Sequence, residues 1–329
     1  MTISHWDPTQ FFTSAPPRVP FALLVLNQPI NQHAYKVLKK HACFTICADG
    51  GANRFYEAMK RRGKESIELP DAVVGDLDSI LPHVQQHYES LNVSVIRDTD
   101  QNSTDFTKCL RYLSSNGRKI ISRVSTSTTT PADPKQEQPT PPVGGVVNNA
   151  ATEAPDDVNL DIIVLGGLGG RVDQAFSQIH HLYTTSRAPP STIGRPRGDL
   201  YLISEESITF VLRSGRNIIR TPRSSPPPSS SAHPKPNSHT TDDDDSAGSA
   251  GYTSVYLLEN IGILPVGGPA VINTRGLEWD VRDWKTEFGD QVSTSNHIRA
   301  DEIEIDTDVP VLFTVEMAEG LKCSGAGEG

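Results

Sequence analysis

Short apolar runs separated by helix-periodic stretches organise the first half of the chain. Phe21 to Leu26, Phe44 to Ala48, Ala72 to Val74, Val93 to Ile96 and Ile162 to Leu165 have the length and continuity of strands buried on both faces. Between them the spacing predicts helices. The clearest covers about Ser103 to Ser115, where Phe106, Cys109, Leu110 and Leu113 recur at i, i+3, i+4 and i+7. Another begins near Arg171, with Val172, Ala175, Phe176, Ile179 and Tyr183 as its apolar stripe. Strands alternating with helices predict a parallel α/β sheet of Rossmann-like architecture over residues 21–200.

From about Tyr201 the pattern changes to successive strands: Tyr201 to Ile203, Ile208 to Leu212, Ser254 to Leu258, Ala270 to Thr274, Gln291 to Ile298, Glu302 to Ile305 and Val311 to Val315. Turn sequences such as Ser214-Gly215 and Gly267-Gly268-Pro269 separate them, which predicts an antiparallel β-sandwich over residues 201–329. Residues 1–20 read as an N-terminal extension. Three segments, near 125–155, 188–198 and 221–251, are rich in Pro, Ser, Thr and Gly and lack the apolar content that would offset the entropy of ordering. They read as solvated insertions, and so does the run Asp242 to Asp245 inside the third.

Composition narrows the function classes. At 329 residues, 36% hydrophobic and 21% charged, the chain is long enough for two globular domains. A net charge of −10 argues against a nucleic-acid binder, which presents a basic face to phosphates. No apolar stretch approaches the ~20 residues of a membrane span, and the first residues lack the pattern of a secretory signal. Cys43, Cys47, Cys109 and Cys323 have neither paired zinc spacing nor the density of a disulfide scaffold, so reduced thiols and a cytoplasmic location are expected.

Candidate chemistry collects where the predicted parallel strands end, the edge at which open α/β sheets bind ligands. Four segments fall there: Ala48 to Asn53, Gly75 to Ser79, Asp100 to Asp105 and Gly166 to Asp173. Asp76 and Asp78 are two apart, so their carboxylates share a side if extended backbone continues past Val74. Paired hard oxygen ligands suit Mg2+, and Asp49 and Asp105 on the same edge strengthen that reading against a simple helix cap. The glycine run before Arg171 offers backbone N–H groups and a bidentate guanidinium to an anion, without the ending of a P-loop or the dinucleotide fingerprint. Asp173 in the next turn faces either a ligand or the helix dipole, and Lys108 reaches either phosphate or Asp105. In the β half, Trp279 suits either a flat cationic heterocycle or core packing, and Ser295 and Asn296 suit either hydrogen bonding to such a ring or closing a turn. His83 and His87 lack the Glu of a zinc motif and read as a solvated helix face.

Taken in order, Cys47-Ala48-Asp49-Gly50-Gly51-Ala52-Asn53, Gly75-Asp76-Leu77-Asp78-Ser79, Asp100-Gln101 with Thr104 to Lys108, Gly169 to Gln174, Gly262 to Gly267, Gly276 to Asp280 and Ser293 to Asn296 resemble the thiamine pyrophosphokinase family of eukaryotes. The resemblance implies transfer of a pyrophosphoryl unit from ATP to thiamine with Mg2+, giving thiamine diphosphate and AMP. It implies that Asp76, Asp78 and Asp105 are catalytic and hold the metal. Asp49, Lys108, Arg171 and Asp173 would join them at ATP, and Gln101, Trp279, Ser295 and Asn296 would bind thiamine. It also implies a homodimer with Trp279 supplied across the interface. Val172 and Gln174 depart from the family's usual residues. A non-catalytic thiamine or nucleotide sensor, or a pyrophosphokinase for another alcohol, are the alternatives, and the complete set of carboxylates argues against the sensor.

Overall fold

The computed structural model describes residues 2–126, 159–187, 198–222 and 256–323, so the bulk of the three low-complexity segments lies outside the described residues. The chain divides into two compact units, one of Gln10–Val211 with Leu321–Gly329, the other of Met1–Thr9 with Leu212–Gly320. Its first strand, β1 (Ile3–Trp6), belongs to the second unit although it lies in the segment read as an N-terminal extension.

The α/β unit follows the alternating pattern. In chain order it contains β2 (Phe21–Val25), α1 (Gln32–Leu38), β3 (Phe44–Ala48), α2 (Gly51–Lys60), β4 (Ala72–Gly75), α3 (Pro82–Ser90), β5 (Ser94–Arg97), α4 (Asp105–Thr126), β6 (Asp161–Leu165), α5 (Val172–Arg187), β7 (Leu200–Ile203) and β8 (Ser207–Leu212). These strands lie in the order β8-β7-β6-β2-β3-β4-β5, parallel except where β7 meets β8. Every residue of β2, β3, β4 and β6 is buried, because helices cover both faces and leave no solvent side to alternate with. The chain runs outward from β2 through β3, β4 and β5, then returns to place β6 on the other side of β2. That reversal opens a crevice at the C-terminal ends of β2 and its neighbours.

Helix α4 runs eleven residues beyond its predicted end at Ser115. Ile120, one heptad after Leu113, is buried at 2% exposure and continues the stripe, so packing carries the helix through Asn116 and Gly117. The stripe on α5 is shorter than its spacing suggests. Leu182 and Tyr183 are buried, but Val172 and Phe176 at its start are 69% and 48% exposed.

The second unit is β-rich and mainly antiparallel. It contains β9 (Gly215–Arg220), β10 (Leu257–Leu264), β11 (Ala270–Arg275), β12 (Trp284–Thr286), β13 (Ser293–His297), β14 (Glu302–Thr307) and β15 (Val311–Met317). One sheet has the order β1-β9-β14-β11-β12, with β1 and β9 parallel, and β13-β10-β15 pair antiparallel. Strand β10 extends to Leu264, past the predicted end at Leu258, and β1, β9 and β12 were not expected from the sequence. Trp6 secures β1, its indole donating to Asn217 Oδ1 at 2.9 Å while Arg213 lies over the ring. Among the described residues no helix is long and apolar enough to cross a membrane.

Candidate active site

The carboxylates at the crevice are fixed by backbone geometry. Parallel register aligns Ala48 with Val74 and Gly75 with Arg97, so the segments after β3, β4 and β5 leave the sheet together. Asp49, buried and at a left-handed φ of 37°, turns back from β3 and accepts N–H bonds from Ser79 at 3.1 Å and Ile80 at 2.9 Å. It thereby closes the turn that carries Asp76 and Asp78. Gly75 permits this approach, since a Cβ there would sit 2.6 Å from Asp49 Cβ and 3.1 Å from Asp105 Oδ1.

One oxygen each from Asp49, Asp76 and Asp105 lies within 4.8 Å of the others. Lys108, one turn into α4 and only 1% exposed, donates to Asp76 Oδ2 at 3.1 Å and to Asp105 Oδ1 at 3.0 Å. Of its two sequence readings, phosphate contact or carboxylate pairing, the structure shows pairing. Asp78 stands apart from this trio and accepts from the hydroxyl of its neighbour Ser79 at 2.8 Å. The period-two argument for Asp76 and Asp78 stops at Gly75, where β4 ends, because Leu77 takes a left-handed φ of 66°. Left-handed backbone at Asp49 and Leu77 is the kind of local strain that gathers at functional sites.

Electrostatics follow from this crowding. Burial pushes the Asp49 carboxyl up to about 6, against the two backbone N–H groups, and the charges of Asp105 and Asp76 add to the rise. Asp76 goes the other way: burial opposes its ionisation, but Lys108 and the N–H of Asp78 hold its carboxyl below the usual range. An all-oxygen group of converging carboxylates is the donor chemistry of a hard divalent cation, so the residues present fit Mg2+.

The remaining predicted phosphate residues occupy the loop after β6. Gly166, Gly169 and Gly170 all have positive φ, and the loop delivers Arg171 and Asp173 to the start of α5. Their side chains pair with each other, Nε to Oδ1 at 3.1 Å and Nη2 to Oδ2 at 2.5 Å, and both are exposed. Gln101 is exposed in the turn before α4, next to Asp100, whose carboxyl is lowered to about 2 by hydrogen bonds from Ser103, Asn102 and Arg111.

The β-rich unit holds a cavity of about 390 Å³. Trp279 and Trp284 line it with Val292, Ser295 and Asn296, so three of the four predicted thiamine residues meet there, while Gln101 is on the α/β unit. Trp279 is 54% exposed, so it is not a core residue. Asn296 is buried and spends both ends of its amide on the Trp279 turn, accepting from Trp279 N at 3.2 Å and donating to Trp279 O at 2.9 Å. Asp280 accepts the N–H groups of Gly276 and Leu277 in the same turn. Trp284, whose indole donates to Gln291 at 3.2 Å, went unnoticed in the sequence because nothing local ties β12 to this cavity.

Comparison with known proteins places both units. Residues 35–193 match the family model described as the catalytic domain of thiamin pyrophosphokinase, and residues 253–312 match that of its vitamin B1 binding domain, together about two thirds of the chain. Over 310 residues the chain is 29% identical to thiamine pyrophosphokinase of Saccharomyces cerevisiae, covering 90% of this chain and 85% of the yeast protein. A rice relative, thiamine pyrophosphokinase 3, is 26% identical over 90% of this chain and 87% of its own. The solved thiamin pyrophosphokinase from Candida albicans superposes with a TM-score of 0.66 at 25% identity, covering 96% of this chain and 93% of that one. With carboxylates at the sheet crevice of one unit, an indole-lined cavity in the other, and both domain models matched in order, this chain belongs to the eukaryotic-type thiamine pyrophosphokinase family.

Proposed function

We propose that the chain transfers the pyrophosphoryl group of ATP to the hydroxyl of thiamine, releasing AMP and thiamine diphosphate. The observation that carries this reading is the pairing of a polyanion-handling crevice in the unit matched to the catalytic domain with an indole-lined cavity in the unit matched to vitamin B1 binding. In the reaction the thiamine hydroxyl oxygen bonds to the β-phosphorus, the bond from that phosphorus to the α,β-bridging oxygen breaks, and AMP leaves with the electron pair. The hydroxyl proton passes to a carboxylate of the crevice, Asp78 or Asp105.

Asp49, Asp76 and Asp105 would hold Mg2+, with Asp78 carried on the same turn as Asp76. The ion supplies charge neutralisation for the triphosphate and the departing AMP. Lys108 keeps Asp76 and Asp105 oriented. Arg171, once its pairing with Asp173 is exchanged for phosphate oxygens, adds a bidentate donor at the N-terminus of α5. Trp279 presents its face to the cationic ring of thiamine, with Ser295 at the same cavity and Asn296 fixing the indole's backbone. Gln101 would be a further thiamine contact.

A homodimer, in which Trp279 serves the partner's crevice, accounts for the exposure of Trp279, Phe288 and Val292 on the β-rich unit. A cytoplasmic location agrees with four cysteines that are all unpaired. The decisive experiment incubates the purified chain with ATP, Mg2+ and thiamine and separates the products. AMP with thiamine diphosphate is expected; ADP with thiamine monophosphate, or no turnover, would overturn the assignment.

A further inference from the structure

The turn after β2, Asn27-Gln28, lies at the crevice but belongs to none of the segments considered so far. Its location is dictated by topology: β2 sits between β3 and β6, so the residues that follow it stand between the loops that end those two strands. Contacts on both sides reflect this. On the β3 side, Asn27 Nδ2 lies 2.5 Å from where a Cβ on Gly50 would be, and Asn27 Oδ1 accepts from Arg54 Nε at 3.1 Å. On the β6 side, the carbonyl oxygen of Gln28 lies 2.6 Å from the corresponding point on Gly166.

The side chain of Gln28 is the unexplained part. Its Nε2 and Oε1 each lie 2.7 Å from where a Cβ on Gly170 would be, so the carboxamide rests directly against the left-handed residue before Arg171. The backbone N–H of Gln28 is used, donating to Leu26 O at 3.0 Å. Its carboxamide has no hydrogen-bond partner among the described residues, although the residue is half-buried. Asn27 uses its amide oxygen on Arg54. A half-buried, unpaired amide with two N–H donors, seated against a glycine loop that leads into a helix N-terminus, is matched to a phosphate oxygen.

We propose that Gln28 is a nucleotide-binding residue, its carboxamide donating to a phosphate oxygen of ATP from the β2 side of the crevice while the loop after β6 contacts the same chain of phosphates. The proposal rests on the ATP-dependent reading above. It assigns to the end of β2 a part that the carboxylates cannot play, since they repel phosphate unless a cation intervenes.

Gln28→Met and Gln28→Glu separate binding from packing, because both preserve most of the volume against Gly170. Binding of MgATP to the full chain, measured by calorimetry without thiamine, should weaken about tenfold in Gln28→Met, the usual worth of one hydrogen bond to a charged group. Gln28→Glu should weaken it further, since the new carboxylate faces the triphosphate. The rise in melting temperature produced by thiamine should be the same in all three proteins. Met and Glu variants that bind MgATP as the wild type does, or that weaken equally, would overturn the proposal. Should Gln28→Glu not fold, Gln28→Met decides alone, and wild-type affinity in it is the overturning result. A wild-type chain that binds no MgATP would instead sink the proposed function.

Discussion

In the α/β unit the candidate site is a group of charges pinned by backbone, whereas in the β-rich unit it is a cavity whose lining contains no ionisable side chain. Asp49 is held by two main-chain N–H groups, and Asp76 and Asp105 share one buried ammonium. The cavity is walled by indoles, aliphatic side chains and the hydroxyl residues Thr274, Ser293, Thr294 and Ser295, and its one buried amide, Asn296, is consumed in holding Trp279. On the proposed assignment, the difference teaches that the two halves of the substrate pair are met by different physics. Phosphate needs fixed charge and a cation, while a flat organic cation needs a desolvated aromatic face. Each half can therefore be disabled with little effect on the other.

The largest effect is expected from the charged side. Asp76→Ala removes one carboxylate of the converging group and leaves Lys108 with Asp105 alone. AMP formation with Mg2+ should fall by at least about a hundredfold, the scale on which a preorganised electrostatic group contributes to phosphoryl transfer. Binding of thiamine to the variant, followed by indole fluorescence, should be unchanged. Turnover retained within about tenfold of wild type would remove Asp76 from the machinery. Loss of thiamine binding along with turnover would instead break the separation between the two regions.

Trp279→Ala is the converse and should be milder. The indole is 54% exposed, so truncating it leaves no core cavity, and the melting temperature should move by no more than about 2 °C. The KM for thiamine should rise about tenfold while that for ATP stays within about twofold, because a stacked cation on tryptophan contributes on the order of 1–2 kcal/mol. A destabilisation of several kcal/mol would show that Trp279 is structural after all.

Much of this division was legible in the sequence, for reasons that differ between the units. In the α/β unit, continuous apolar runs such as Phe44 to Ala48 announce buried strands, and the rule that ligands gather at strand ends singles out Asp49, Asp76 and Asp105. The orientation of Asp78 was not legible, because the left-handed turn at Leu77 depends on Asp49, thirty residues earlier, capping the N–H groups of Ser79 and Ile80. In the β-rich unit, β9 and β12 are mixed sequences, Gly215–Arg220 and Trp284–Thr286, whose strand identity comes from the partners they meet across the sheet. Strand β1 is more extreme still, since Ile3–Trp6 pairs with residues more than two hundred positions away. For the same reason Trp284 was invisible and Asn296 ambiguous: two hydrogen bonds with a distant turn decide between ligand contact and scaffold.

The smallest effect is a pH dependence that only the charged region should show. Without metal, the Asp49 carboxyl titrates at about 6, well above an ordinary aspartate, because it is buried among other carboxylates. A folded-state value raised in this way means that the protonated form stabilises the native chain, and that this contribution is lost as pH rises through about 6. Mg2+ binding there would reverse the sign, since the ion would need the carboxylate ionised and would have to displace its proton at lower pH. The rise in melting temperature produced by Mg2+ should therefore be full near pH 8 and decline as pH falls through about 6, while metal-free protein gains a little stability over the same interval. The shift produced by thiamine should stay level, since no side chain lining the cavity proposed for it is ionisable. A Mg2+ shift that is flat across that range in wild type would take Asp49 out of the metal site and leave it only the task of closing the Asp76 turn. If Asp49 does hold the ion, Asp49→Asn should abolish the pH dependence as well as most of the shift.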